Sequence, residues 1–96
     1  MDDTTIDTLR RGVGTILHVE EGDIDVELTE FSELRPNAYS VLFEGPAEPV
    51  LRQSTYTFRT DGDATLKIFI VPLGPGASGA MVYEAVFTAT PPTKAD

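Results

Sequence analysis

Asp23-Ile24-Asp25-Val26-Glu27-Leu28-Thr29 is the stretch that decides the fold: three aliphatic residues alternate with three carboxylates. Period two with one charged face is the pattern of a strand that buries one side and wets the other. Just upstream, Thr15 to Glu20 forms a second β-rich run, and the short Glu21-Gly22 connection between the two suits a tight hairpin. Downstream, Glu30 to Leu34 leads to the turn signal Arg35-Pro36-Asn37. A third strand follows over Tyr39 to Glu44, with Tyr39, Val41 and Phe43 on one side and Gly45-Pro46 as its stop.

The same reading extends to the rest of the chain. Ser54 to Thr60 forms a fourth strand with Tyr56 and Phe58 on a shared face, and Asp61-Gly62 is a strong hairpin signal before Thr65 to Val71. That fifth strand is apolar on both faces beyond Lys67, which predicts a central position in the sheet. Gly74 to Gly79 reads as a flexible loop, and Met81 to Thr88 as the last strand, with Tyr83, Ala85 and Phe87 facing inward. At the other end, Asp3 to Gly14 carries a Thr cap candidate, Asp7 in an early turn, Arg10 and Arg11 late, and then Gly12. This predicts one short N-terminal helix whose Ile6, Leu9 and Val13 lie on a single stripe.

Six short strands joined by brief turns must close or fold over to bury Val, Phe and Ile. The expected fold is therefore mainly β: a small antiparallel barrel or two-sheet sandwich of about six strands, with the helix plugging one end. Ninety-six residues make one domain, with an ordered core over about residues 4–90 and a Pro-rich tail over 91–96. Such a chain buries about 60–65% of its unfolded surface, enough for a core and little more.

Charge and composition exclude several functions. The net charge is −9, from 16 acids and 7 bases, which opposes nucleic-acid binding. Residues 1–48 hold twelve acids and three bases, while residues 49–96 hold four of each, so all the net charge lies in the first half. There is no cysteine, hence no disulfide, thiolate metal site or cysteine nucleophile. No apolar run reaches membrane-spanning length, and the start lacks a secretory signal, so synthesis in the cytoplasm is expected.

Candidate chemistry is sparse. His18 is the single histidine and reads as a plain strand position, since no catalytic partner can be placed beside it from the sequence. Glu20, Glu21, Asp23, Asp25 and Glu27 cluster about one turn, but without the ligand spacing of an EF-hand calcium loop they read as a solvated acidic rim. The loop Gly74-Pro75-Gly76-Ala77-Ser78-Gly79 lacks the Lys-Ser/Thr ending of a phosphate cradle and precedes a strand, not a helix. These six residues are the best candidates for a partner contact. No cofactor and no metal ligand set is expected.

Six segments taken together resemble a family of short prokaryotic proteins catalogued as a domain of unknown function. They are Leu9 to Gly14, Asp25 to Leu34, Tyr39-Ser40-Val41-Leu42-Phe43-Glu44-Gly45-Pro46, Leu51 to Tyr56, Phe69-Ile70-Val71-Pro72-Leu73-Gly74-Pro75 and Tyr83-Glu84-Ala85-Val86-Phe87. The family pattern runs F-S-x-L-F-x-G-P, L-x-Q-x-x-Y, F-L-V-P-x-G-P and Y-E-A-V-F. Arg52 departs from it where Pro is usual, as does the acidic first hairpin. The resemblance implies encoding near phage-tail-collar-like proteins, and thus a structural part in a tail-like particle, virion or fibre. It implies no catalytic residue.

The expected function is a non-enzymatic module that partners itself or neighbouring structural proteins. The alternatives are an accessory factor for a tail-collar-like protein, and an acidic calcium-dependent binder or small hydrolase.

Asp25, Glu27, Glu30 and Glu33 crowd like charges within about a Debye length at low ionic strength. Molar sodium chloride is therefore expected to raise the thermal midpoint, and to raise it less in an Asp25→Asn, Glu27→Gln variant. Equal salt responses in the two proteins would remove charge crowding as the cause.

Overall fold

The computed structural model describes residues 3–60, 62 and 64–88, with backbone alone for 3–5. Its elements are α1 (Asp3–Arg11), β1 (Ile16–Val19), β2 (Ile24–Arg35), β3 (Ala38–Gly45), β4 (Ser54–Arg59), β5 (Thr65–Pro75) and β6 (Met81–Thr88). The strands close into one antiparallel barrel in the order β1-β2-β3-β6-β5-β4. The expected β fold is therefore present, and of the two closures left open by the sequence the barrel is the one adopted. The tail over 91–96 and the end of the expected core lie outside the described residues, as does Asp61 of the hairpin signal.

Closure depends on the two longest strands. β2 spans 12 residues; its first part, Ile24 to Glu27, pairs with β1, and Glu27 to Arg35 pairs with β3. β5 spans 11 residues and does the same, pairing with β4 over Thr65 to Ile70 and with β6 over Val71 to Pro75. Register shifts fall at Leu28/Glu30 and at Pro72/Gly74. A bulge bends its strand and increases local twist, which lets one strand serve two walls. The barrel thus has a β1–β4 wall and a β3–β6 wall, with β2 and β5 as shared corners.

The inward faces meet in a single core. Leu17, Val19, Val26, Leu28, Val41, Phe43, Phe58, Ile68, Ile70 and Tyr83 are all buried. Phe43 and Phe58 approach from opposite walls with ring centroids 5.1 Å apart in a tilted pair. Each such aromatic contributes about 1.5–3 kcal/mol by leaving water. Gly45 ends β3 opposite Met81, and a Cβ there would stand 2.9 Å from Val26 Cγ1, so the wall is too close at this point for any larger residue. At the same end Leu51 enters the core, and its N–H donates to the buried Tyr83 hydroxyl at 2.9 Å.

The helix covers the other end. Ile6 and Leu9 are buried, and Leu9 joins the core. Asp7 pairs with Arg11 at 3.0 Å and Arg10 at 3.4 Å, the i+4 and i+3 positions. Arg10 also lies over the rings of Phe31 and Tyr39, 5.4 and 5.7 Å from their centroids, fastening the helix to the β2–β3 hairpin. The helix ends at Arg11, and Gly14 then takes φ 94 on the way to β1. Val13 consequently falls beyond the last helical turn and is exposed, so the expected stripe is two residues long rather than three.

Other expectations need correction. β2 continues beyond Thr29 through Glu30 to Arg35, a stretch the sequence reading left without an element, because the bulge at Leu28/Glu30 lets pairing with β3 go on. Gly74 and Pro75 belong to β5, paired with Val82 and Met81, so the loop begins at Gly76. β5 is not covered on both faces. Phe69 points outward at 49% exposure and is not a core aromatic, while Tyr39 and Tyr56 are half-buried. The six strands form a closed ring, so the sheet has no free edge strand.

The β1–β4 seam is the shortest ladder, with two register pairs, His18 with Arg59 and Val19 with Phe58. Glu20 N–H adds a bond to Thr57 O at 2.9 Å, and the Glu21 carboxylate then accepts from both Thr57 N–H and Thr57 Oγ1 at 2.8 Å. Glu21 therefore takes the place of the next strand residue, and β4 has no unpaired amide at Thr57. The Thr57 amide first, then its hydroxyl, hold the Glu21 carboxyl below the usual carboxylate range. Elsewhere the acidic crowding is partly resolved, since Asp25 faces His18, while Glu27 stands directly opposite Glu44.

Two outcomes are expected. Replacing Tyr83 by Phe strands a buried Leu51 N–H and should cost about 1–3 kcal/mol in urea denaturation; an unchanged midpoint would show that this bond carries no stability. Because folding lowers the Glu21 pKa, its contribution is present above the unfolded value and is lost as pH falls through the folded one. The stability gap between wild type and Glu21→Gln should thus be widest near neutrality and narrow in acid. A gap independent of pH would contradict the role assigned to Glu21.

Candidate functional site

Three regions carry chemistry-bearing or exposed apolar groups, and each follows from the strand alternation. The first is the outward face of the β1–β4 wall. The pleat aims Asp25, His18 and Arg59 outward in one row across β2, β1 and β4. His18 Nδ1 lies 2.8 Å from Asp25 Oδ1, and Nε2 lies 3.3 Å from Asp23 Oδ1. Arg59 pairs with Glu20 on the same face.

An Asp–His pair is the base and orienting group of many hydrolases, but catalysis also needs a nucleophile or water at the second ring nitrogen. Here that nitrogen faces another carboxylate. His18 thus ties β1 to β2, and the Arg59–Glu20 pair ties β4 to the end of β1. Among the described residues no three His, Asp or Glu side chains converge as a metal site.

The second region is a pocket of about 340 Å³ beneath the helix. Leu9, Leu17 and Leu28 form its apolar floor, and Thr8, Thr15 and Thr60 supply hydroxyls. The Thr15 hydroxyl is already donated to Gly12 O at 2.6 Å, and Arg11 is engaged by Asp7. Among the described residues that line the pocket, Arg11 is the one charged side chain.

The third region is the outer face of β5 and β6. Outward positions are Lys67, Phe69, Val71 and Leu73 on β5, and Val82, Glu84 and Val86 on β6. Phe69, Leu73 and Val86 are exposed at 49%, 55% and 58%, and Val71 and Val82 are half-buried between them. Glu84 is fixed by a hydrogen bond from Ser40 Oγ at 3.0 Å. Three of the large apolar side chains exposed among the described residues thus lie on these two neighbouring strands; Val13, Ile16, Leu34 and Val50 are exposed elsewhere.

The six expected contact residues lie at one end of this face. Gly74 and Pro75 close the β5 ladder, and the turn that follows is tied by Gly76 N–H to Ala80 O at 2.7 Å and Gly79 N–H to Gly76 O at 3.0 Å. Gly74 and Gly79 have φ of 124 and 90, conformations that favour glycine. The turn leaves Ala77, Ser78 and Gly79 exposed beside Leu73 and is hydrogen-bonded within itself. Phe69, Leu73 and Val86 were missed from sequence as surface residues. Lys67 shares strand parity with Phe69 and Val71, but the run beyond it is apolar at both parities, and the register shift at Pro72/Gly74 breaks the alternation before Leu73.

No curated protein and no solved structure matches this chain. A family profile described as "Domain of unknown function (DUF6916)" does match, over residues 4–87, which takes in all of the helix but its first residue, all of the six strands but the last residue of β6, and the three regions above. The chain belongs to that family of domains of unknown function.

Proposed function

We propose that this domain is a non-enzymatic interaction module that docks into an oligomeric assembly through the outer face of β5 and β6, with the 76–80 turn at its rim. The observation that carries the reading is the exposed apolar run of Phe69, Leu73 and Val86, set in the half of the chain that has no net charge. Apolar surface of this kind gains by being covered, and the neutral half lets a partner approach without the repulsion that the −9 half imposes. Both ring nitrogens of His18 already face carboxylates, those of Asp25 and Asp23, which is in line with a structural part for this side chain. The resemblance to proteins encoded beside tail-collar-like genes supports a tail-like or fibrous particle as the assembly.

The test is co-purification of the domain with the products of its neighbouring genes, comparing wild type with a Phe69→Asp, Val86→Asp variant. Both positions face outward, so the variant should keep its thermal midpoint while capture falls at least tenfold, about 1.4 kcal/mol or more. Undiminished capture by a folded variant, or none by wild type in either solution or self-association assays, would overturn the reading.

A further inference from the structure

We infer that the surface covering Phe69 is the same surface of a second copy of this chain, related by a two-fold axis that passes at that ring. The inference rests on the docking reading above and names its occupant. Along β5 the outward side chains are Lys67, Phe69 and Val71, alternating with buried Ile68 and Ile70. Lys67 and Val71 stand two residues to either side of Phe69, about 7 Å away in each direction along a strand. Val71 has Glu84 as its register partner on β6.

A two-fold rotation at Phe69 reverses the direction of β5. It lays Lys67 of one copy over the Val71–Glu84 position of the other, and reciprocally. One apolar contact, ring against ring, is then flanked by two opposite-charge pairs, which is the self-complementarity an isologous contact demands. Glu84 is set for this, because the bond from buried Ser40 fixes its carboxylate on the outer face. It is also the one carboxylate in the sequence of β5 and β6, and Lys67 the one cation.

A strongly acidic or strongly basic partner finds no matching field on such a surface. Another copy does: it brings one cation, one anion and a ring in the order that matches. The nearest acids from the first half lie at the margins of this face, Glu44 beside Val82 and Glu21 beside Thr57.

The experiment is sedimentation equilibrium of the purified full chain at low ionic strength. Wild type should form a dimer. Lys67→Glu and Glu84→Lys should each weaken it about tenfold or more, because each turns two attractions into two repulsions. An equimolar mixture of these two variants should associate where neither does alone, since the mixed pair restores both Lys–Glu contacts. The double variant carrying both changes should also recover the dimer.

Lys67 also neighbours Glu21 across β4, and the mixture guards against this, because a damaged monomer would not regain association on mixing. A mixture no better than its components, or a wild type that stays monomeric, overturns the two-fold. If wild type is monomeric but Phe69→Asp abolishes capture of an encoded neighbour, the two-fold alone falls and the docking reading stands. If Phe69→Asp alters neither self-association nor capture, both fall.

Discussion

Closure between β1 and β4 is the constraint on which the rest of the barrel depends. Their ladder holds two register pairs, the fewest of any adjoining strands, yet it converts an open sheet with two edges into a ring. Side chains complete what the short backbone contact lacks. Glu21 takes the amide and hydroxyl of Thr57, Arg59 reaches Glu20, and His18 ties β1 to β2 through Asp25. Much of the acidic first hairpin is thus occupied in bracing, and its charge serves the closure of the fold.

With the ring closed, both ends need covers, and the chain provides one from each side. The helix inserts Ile6 and Leu9 at one end, steadied by Arg10 over Phe31 and Tyr39. The segment between β3 and β4 inserts Leu51 at the other, held by the Tyr83 hydroxyl. A barrel this small has room for side chains and none for an enclosed substrate cavity. On the outside the two walls differ: the β1–β4 wall is charged and internally paired, and the β5–β6 face is apolar with one cation and one anion.

The corner strands explain how so few residues achieve this. β2 and β5 each serve two walls, and the bulges at Leu28/Glu30 and Pro72/Gly74 mark where the change of partner is accommodated. The second bulge lies within Phe69-Ile70-Val71-Pro72-Leu73-Gly74-Pro75, the segment that also bears the apolar face. Proline has no N–H to give a ladder, and Gly74 takes a φ of 124 that other residues seldom adopt. The bend and the exposed surface therefore come from one short stretch of chain.

The sequence by itself determined the elements and most of the core. Alternation in Asp23 to Thr29 assigned Val26 and Leu28 to the inside, because a pleated strand admits only two faces and one of them was visibly polar; in Met81 to Thr88 the shared parity of Tyr83, Ala85 and Phe87 marked the inward face. Paired arginines before Gly12 marked the end of the helix for the same local reason. What only the tertiary structure decided were matters of partnership between distant segments. Whether six strands stack or close depends on which strands meet, and neither the seam nor the bulges leave a local mark. Phe69 sits in a run apolar on both faces, where periodicity cannot tell a covered side from a bare one. Only the absence of a packed layer over β5 settles that. Glu21, unremarkable in an acidic turn, became part of a ladder because Thr57, 36 residues away, was brought beside it.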